Sequence, residues 1–342
     1  MKRLLRLAFP VAMVLLGAAG LHAQESGGSE LRYGPTNSGP VPIPPAERGL
    51  ATVVAEPWFK VSDQGLQLEG PSFDRDNNLI FLEVFGGRVF KLTPEKTLST
   101  IVPPNKLAPA GIAIHKDGRL FVAGLGNFKD TGSVIAVNSD GSGQETIIPA
   151  SAGYLVDDLV FDSKGGFYFT DFRGSTSEPT GGVYYVSPDF KVVTPILKNM
   201  AVANGISLSP NGKELWVTEL SRGLLHRVEL EDPTTIAPYG TAIAYHFTGP
   251  APDSMRADSD GNLYVAMYMQ GRVLVFNRSG IPIGQILIPG RDEGHNLRTT
   301  SLAIRPGTND LYIVTNDAAG GMGATIFHAK GFAKALPLYS HR

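Results

Sequence analysis

The chain has 342 residues, with 30 Lys and Arg against 32 Asp and Glu, and it contains no cysteine. The lack of cysteine excludes disulfides, thiol nucleophiles and zinc–thiolate sites, so stability must come from packing alone. The small negative charge argues against nucleic acid or an anionic membrane surface as a partner.

The N-terminus carries a predicted export signal. Three basic residues precede an apolar run from Val11 to Leu21, and His22-Ala23 follow before Gln24. This pattern predicts a secretory signal peptide over residues 1–23, cleaved after Ala23, and therefore an exported protein, periplasmic or secreted. Residues 24–50 are rich in Gly, Ser and Pro without apolar periodicity, which predicts a flexible N-terminal arm.

From residue 51 to residue 342 one phrase repeats: an apolar run, a polar turn with Gly or Asn, and a second strand that carries an aromatic residue. It occurs as FDRDNNLIFLE from Phe73, IHKDGRLFVAG from Ile114, FDSKGGFYFTD from Phe161, LSPNGKELWVTE from Leu208, ADSDGNLYVAM from Ala257 and IRPGTNDLYIV from Ile304. A period of about 40 to 50 residues with several short strands is typical of a β-propeller blade. Six phrases therefore predict an all-β, six-bladed β-propeller. The strand-like segment TVVAEPWFKV from Thr52 is expected to complete the last blade beside the C-terminal strands and so close the ring.

The residue four positions before each phrase has the same phase in every blade and should face the axial channel. These residues are Glu69, Ala110, Asp157, Asn204, Asp253 and Thr300. Three carboxylates converging in a channel repel one another unless a cation lies between them. Ca²⁺ binds about six to eight oxygen ligands, and the lack of His and Cys in the set disfavours zinc and copper. An alternative interpretation is that these polar residues only cap turns at the strand ends.

Several longer phrases carry a family resemblance: VDDLVFDSKGGFYFTDFRG, VANGISLSPNGKELWVTE and PDSMRADSDGNLYVAMYMQGRVLVF. From about residue 50 to residue 335 the chain resembles the bacterial drug-responsive lactonases, within the superfamily of gluconolactonase, regucalcin (senescence marker protein) and the luciferin-regenerating enzyme. The resemblance implies a Ca²⁺ at the channel mouth. Its ligands would be Glu69, Asp157, Asn204, Asp253 and Ser254, with Asp253 also acting as the proton donor or general acid/base.

The same resemblance implies a second, structural Ca²⁺ on a loop beside the channel. Its ligands would map to Asp130, Gly132 and Tyr154, with Ala152 and the neighbourhood of Pro149. This chain departs from the family pattern at the last two positions, because close relatives have a hydroxyl residue in place of Ala152 and an acidic residue in place of Pro149.

Three functions remain open at this point. The first is a Ca²⁺-dependent lactonase that acts on a small-molecule lactone, the second a gluconolactonase-type enzyme or binding protein for sugar lactones, and the third a non-catalytic propeller stabilised by Ca²⁺. No G-x-S-x-G motif supports a serine nucleophile. Met200, Met267 and Met269 are expected near the channel mouth, which favours an apolar substrate, and His295 lies in a Gly-containing loop that could overhang the channel.

Overall fold

The computed structural model describes residues 31–34, 37–317, 320 and 323–342. The predicted signal peptide lies outside these residues. Within the described part of the chain, no helix has the length and apolar character needed to cross a membrane.

Each repeated phrase forms a hairpin between the first two strands of a blade, and the polar turn explains why. In the first phrase, Asp74 Oδ1 accepts the main-chain N–H groups of Asp76 and Asn78 at 2.9 and 2.8 Å. Asp258 repeats the arrangement with Asp260 and Asn262 at 3.0 and 2.9 Å. An aspartate that bonds its own chain two residues on fixes a tight turn, so the apolar runs on either side pair as antiparallel strands.

Six sheets follow one another along the chain as six blades. Blade 1 contains β3 (Leu68–Phe73), β4 (Leu79–Glu83), β5 (Arg88–Leu92) and β6 (Leu98–Val102); blade 2 contains β7 (Pro109–Ile114), β8 (Leu120–Gly124), β9 (Ser133–Val137) and β10 (Glu145–Ile148); blade 3 contains β11 (Val156–Phe161), β12 (Phe167–Asp171), β13 (Gly181–Val186) and β14 (Val193–Met200). Blade 4 contains β15 (Ala203–Leu208), β16 (Glu214–Glu219), β17 (Leu224–Asp232) and β18 (Thr235–His246); blade 5 contains β19 (Pro252–Ala257), β20 (Leu263–Met267), β21 (Arg272–Phe276) and β22 (Pro282–Leu287); blade 6 contains β23 (Arg298–Ile304), β24 (Asp310–Asn316) and β25 (Ala324–Lys330). The first strand of each blade contacts the first strand of the next, and β23 contacts β3, which closes the ring. The predicted six-bladed propeller is confirmed.

Two N-terminal strands share the closure. β2 (Glu56–Ser62) pairs antiparallel with β25 and completes blade 6, as expected. β1 (Ala51–Val54) instead pairs parallel with β22, so blade 5 has five strands. The prediction that the whole segment joins the last blade is therefore wrong for its first three residues, 52–54, because the chain steps from the outer edge of blade 5 to the outer edge of blade 6.

The end of the predicted flexible arm, residues 37–50, packs on blades 4 and 5. Glu47 is buried in a single 3₁₀ turn, and its Oε2 lies 2.6 Å from Nη1 of the equally buried Arg272. Tyr245 donates its hydroxyl to Glu47 Oε1 at 2.7 Å, and Leu50 packs against the apolar core between blades 4 and 5. A buried ion pair thus fastens this part of the arm to the propeller.

Candidate metal and catalytic site

The site occupies the end of the channel where the inner strands begin and the second strands end, here called the upper mouth. It is built on a backbone irregularity found in all six inner strands. The pairing register shifts at Glu69/Ser72, Pro109/Gly111, Val156/Leu159, Ala203/Ile206, Pro252/Met255 and Thr299/Ser301. Such bulges re-aim side chains and are frequent beside functional sites. In every blade the shift falls at the residue predicted to face the channel, so these six residues are called the upper ring.

Two threonines of second strands link the bulges from blade to blade. Thr218 Oγ1 accepts the N–H of Gly205, which the bulge in β15 frees, at 2.7 Å and donates to the carbonyl of Asp253 in blade 5 at 2.8 Å. Thr170 makes the equivalent pair, accepting from Asp158 N at 3.1 Å and donating to Asn204 O at 2.5 Å. Each hydroxyl therefore accepts the N–H group that one bulge leaves unpaired. It also donates to the main-chain carbonyl of the ring residue in the following blade, which fixes the position of that residue.

The inner strands approach one another so closely that glycine must follow some ring residues. A Cβ atom on Gly205 would lie 2.5 Å from Asp253 O, and one on Gly111 would lie 2.3 Å from Asp157 O. Contacts this short exclude any side chain at the two positions. The glycines thereby allow Asn204 and Asp253 to sit on adjacent strands around a narrow axis.

The three ring carboxylates are buried and repel one another. Glu69, Asp157 and Asp253 are 7, 5 and 5% exposed. Burial raises the pKa of Glu69 well above its usual range, and the charges of Asp253 and Asp157 raise it further. Burial likewise raises the pKa values of Asp157 and Asp253, and in both the neighbouring charge of Asp158 adds to the increase. Such a site favours protons or a cation.

The remaining oxygen donors of the ring fit a hard cation. Asn204 is 3% exposed, and its Oδ1 has no hydrogen-bond partner among the described residues. Ser254, 1% exposed, donates its N–H to Asp253 Oδ1 at 3.0 Å. Carboxylate, amide and hydroxyl oxygens are the donors that Ca²⁺ accepts. Within the described chain no three His, Cys, Asp or Glu side chains form a metal-binding group on their own, so the amide and hydroxyl oxygens would have to complete any coordination shell.

One side of the upper mouth is apolar. Val84, Leu125 and Leu155 pack with the ring residue Ala110, and Phe172 lies against them. Two aromatic side chains from neighbouring loops lie further out: Phe85 is 72% exposed and Phe128 is 45% exposed. Their rings stack with centroids 5.9 Å apart. An exposed aromatic pair above an apolar wall is suited to binding an apolar group.

The opposite side of the mouth is polar. Tyr268 follows β20 and pairs with Arg298 in an isolated bridge at the start of β23. Burial raises the pKa of Tyr268, the Arg298 charge opposes the increase, and the Asp253 and Glu69 charges add to it. The phenol therefore lies within electrostatic range of the ring carboxylates and holds its proton more tightly than a free tyrosine does. His295 lies on the loop before β23, where its Nδ1 is 2.8 Å from Oδ2 of the buried Asp317.

The predicted second calcium site is only partly brought together. Gly132 lies beside Tyr154, since a Cβ on the glycine would be 2.4 Å from Tyr154 O. Asp130 is exposed on the loop between β8 and β9, where its Oδ1 accepts the amide of Asn127 at 2.9 Å. Ala152 ends a short 3₁₀ turn that begins after Pro149 and supplies no side-chain oxygen. The second site stays a prediction.

Sequence reasoning missed three contributors to the upper mouth. Thr170 and Thr218 precede the acidic residues that end FYFTD and ELWVTE, so a recurring Thr-acid pair was the available signal. Tyr268 had no such signal, because its place beside Asp253 arises from the pairing of Pro252 with Met267, one residue before the tyrosine. Of the methionines expected at the mouth, Met200 and Met267 are buried at 3 and 0% exposure, whereas Met269 is 37% exposed.

Comparison with known proteins places the chain in a family. Residues 68–317 match the SMP-30/gluconolactonase/LRE-like region. The chain is 53% identical over 313 residues to the lactonase drp35 of Staphylococcus saprophyticus, covering 90% of this chain and 97% of that protein. It is 56% identical over 308 residues to the lactonase drp35 of Staphylococcus aureus, covering 89 and 95%. The protein therefore belongs to the SMP-30/gluconolactonase/LRE-like family.

Solved structures agree on the fold. A luciferin-regenerating enzyme superposes with a TM-score of 0.68 at 19% identity, covering 82% of this chain and 99% of that one. A regucalcin from Agrobacterium tumefaciens, described as a calcium-binding protein, gives 0.68 at 17% identity, covering 85 and 99%.

Proposed function

We propose that this protein is an exported, Ca²⁺-dependent lactonase that opens a lactone at the upper mouth. The observation that carries the proposal is the set of three buried carboxylates beside the amide oxygen of Asn204, which has no hydrogen-bond partner in the described part of the chain. Relatives of more than half identity are named lactonases, which supports lactones as the substrate class. Carboxylates with strongly raised pKa values cluster at functional sites, which favours a catalytic centre in the channel over a purely structural one.

The ring residues would hold the ion and the reacting groups. Glu69, Asp157, Asn204, Asp253 and Ser254 are the proposed ligands. Bound among them, Ca²⁺ would polarise the lactone carbonyl as a Lewis acid. The protein supplies the proton transfer.

Asp253 is the proposed general acid/base. One of its oxygens already accepts the N–H of Ser254, which fixes the orientation of the carboxylate. Asp253 would take a proton from the attacking water and deliver it to the ring oxygen as the C–O bond of the lactone breaks, giving a hydroxy acid. The phenol of Tyr268, which the Asp253 charge reaches, would donate a hydrogen bond to a substrate oxygen.

The walls of the mouth favour an apolar lactone over a sugar lactone. The cluster of Val84, Leu125 and Phe172 and the stacked pair Phe85 and Phe128 present few polar groups. A sugar lactone would leave its hydroxyl groups without partners against such a wall, which is unfavourable.

Activity against a lactone panel tests the proposal. The panel contains an aromatic lactone, an aliphatic γ-lactone, an acyl-homoserine lactone and gluconolactone, each assayed with Ca²⁺ and with excess chelator. We expect activity that the chelator abolishes and Ca²⁺ restores. Asp253→Asn should lower kcat by about 100-fold or more, Glu69→Gln should raise the Ca²⁺ concentration needed, and Asp76→Asn, an exposed turn residue, should change neither. Calcium-independent activity would overturn the metal assignment, and inactivity on every lactone would overturn the substrate class.

Export is tested separately. The predicted signal peptide implies that protein recovered outside the cytoplasm begins at Gln24. N-terminal sequencing of that fraction checks the cleavage, and recovery of an intact chain confined to the cytoplasm would contradict it.

A further inference from the structure

The bulges that form the upper ring also produce a second ring, three residues further along each inner strand. A regular strand would turn residues three apart to opposite faces. Because the register shift lies at or beside the first of the two, the second also faces the channel. The members of this lower ring are Ser72, Ala113, Val160, Ser207, Arg256 and Ala303, and each lines one or both of two cavities at the lower end of the channel.

The two cavities have volumes of about 400 and 240 Å³ and flank the C-terminal segment, residues 331–342. This segment crosses the lower end of the propeller. Its Ala335 N–H donates to Thr308 O of blade 6 at 2.7 Å, and its Ser340 O accepts Arg75 Nε of blade 1 at 2.7 Å. The Tyr339 ring packs on His115 of blade 2 with centroids 5.0 Å apart. The segment thus covers the lower end of a chamber, and the lower ring forms the innermost wall of this chamber.

Arg256 is the cationic residue of that ring, and the described residues accept hydrogen bonds from only one end of its guanidinium. Nη1 donates to Asp158 Oδ2 at 3.0 Å and to Met255 O at 2.7 Å. Nε and Nη2 have no protein acceptor among the described residues. These two nitrogens form the side edge of the guanidinium, which presents two parallel donors to a carboxylate. Asp158 therefore fixes the arginine while leaving its two-donor edge available.

The surroundings of Arg256 suit an anion with an apolar body. Ser72 and Ser207, each 5% exposed, add hydroxyl groups at the same level of the channel. Ile114, Leu208 and Leu338 supply apolar wall around the larger cavity.

Basic and acidic side chains are equal in number at the rim of the larger cavity. Lys164, Lys213 and Arg342 lie there together with Asp162, Glu231 and Asp232. The Asp162 carboxylate is already engaged, since it accepts the Tyr185 hydroxyl at 2.7 Å and the N–H of Lys164 at 2.7 Å.

From this arrangement we propose that the chamber is a second binding site, separate from the upper ring, for a small organic monocarboxylate with an apolar body. The carboxylate binds the free edge of Arg256 and the hydroxyls of Ser72 and Ser207, and the apolar body fills the larger cavity. The inference does not depend on the proposed lactonase activity, although the hydroxy acid released by lactone opening belongs to the same chemical class.

Calorimetric titration with 3-phenylpropionate tests the site, and 3-phenylpropionamide is the matched neutral probe. We expect one saturable site per chain for the acid, with a Kd of about 1 mM or tighter, and at least tenfold weaker binding of the amide. Arg256→Gln should weaken binding of the acid at least tenfold. Ala113→Leu adds three carbon atoms to the wall of the larger cavity and should also weaken binding at least tenfold.

Two further variants keep the result interpretable. If Arg256→Gln alone does not fold because Asp158 is left unpaired, the double variant Arg256→Gln/Asp158→Asn removes both charges and should still lose binding. Asp253→Asn, in the upper ring, should bind the acid with unchanged affinity even if it is inactive on lactones. Absence of saturable binding, equal affinity for acid and amide, unchanged affinity in Ala113→Leu, or loss of binding in Asp253→Asn would each overturn the proposal.

Discussion

The ion pair that fastens the N-terminal arm gives the sharpest stability prediction. Glu47 and Arg272 have side-chain exposures of 2 and 1%, and their charged atoms are 2.6 Å apart. Arg272 also donates to Gln270 Oε1 at 2.9 Å and to Gln285 Oε1 at 3.0 Å. Glu47→Gln keeps the size of the side chain but replaces one acceptor oxygen with an NH2 group, and it leaves a guanidinium buried without its counter-charge.

The expected magnitude follows from that burial. Removing one partner of a buried ion pair costs about 3–5 kcal/mol, whereas an exposed pair is worth about 1 kcal/mol or less. For a domain of about 290 residues, the unfolding entropy of about 2 cal/mol/K per residue converts this loss into a fall in Tm of about 5–8 °C. Glu95→Gln makes the same chemical change on an exposed turn and should leave Tm within about 1 °C.

Thermal unfolding in saturating Ca²⁺, with limited proteolysis of the arm, is the assay. Glu47→Gln should unfold earlier and should be cut sooner between residues 37 and 50. The double variant Glu47→Gln/Arg272→Gln removes both charges together while keeping polar side chains beside Tyr245 and Gln285, and it should recover part of the lost stability. A Tm for Glu47→Gln equal to that of Glu95→Gln would refute the assignment of the arm to a buried electrostatic anchor.

The remaining predictions concern the upper mouth. Thr218→Val should leave the Gly205 N–H and the Asp253 carbonyl unpaired, lowering the free energy of unfolding by about 2 kcal/mol and lowering kcat, and calorimetry with single-turnover kinetics measures both. Tyr268→Phe should lower kcat/KM by about tenfold or more without changing the Ca²⁺ requirement; an unchanged kcat/KM would remove the phenol from the mechanism. The raised pKa values of the ring carboxylates mean that the folded protein holds protons which the unfolded chain releases above its ordinary pKa of about 4. Stability in chelator should therefore fall as pH rises through the interval between that value and the raised ones, and added Ca²⁺ should abolish the fall; a Tm in chelator that rises over the same interval would contradict the sign.

Much of the architecture could be predicted from the sequence because the repeated phrase carries its own turn chemistry. Asp74 and Asp258 each accept a main-chain N–H group two residues further on, which fixes the hairpin turn. The positions of the blades can therefore be read from the sequence. The place of β1 could not be predicted in this way. Its residues Ala51–Val54 have the same strand character as β2. They pair with blade 5 because the ion pair of Glu47 with Arg272 anchors the preceding residues there.

The upper ring could be located by phase alone, whereas the lower ring could not. Counting back from each phrase finds Asp157 and Asp253 without any knowledge of which way their side chains point. Counting forward fails at Arg256, because strict strand alternation assigns residues three apart to opposite faces. The bulge turns both residues toward the channel, and no feature of a single phrase marks where a bulge occurs.

The bulges also determine where the charged side chains lie along the channel axis. By turning both Asp253 and Arg256 toward the channel, the bulge in β19 places an anion in the upper ring and a cation in the lower ring on one strand. Asp158, turned the same way by the bulge in β11, reaches Arg256 across the channel at 3.0 Å. Asp158 thereby holds the Arg256 guanidinium below the upper ring, so the guanidinium does not enter that ring and neutralise its carboxylates. The three carboxylates above keep their mutual repulsion, which is the property that a divalent cation relieves.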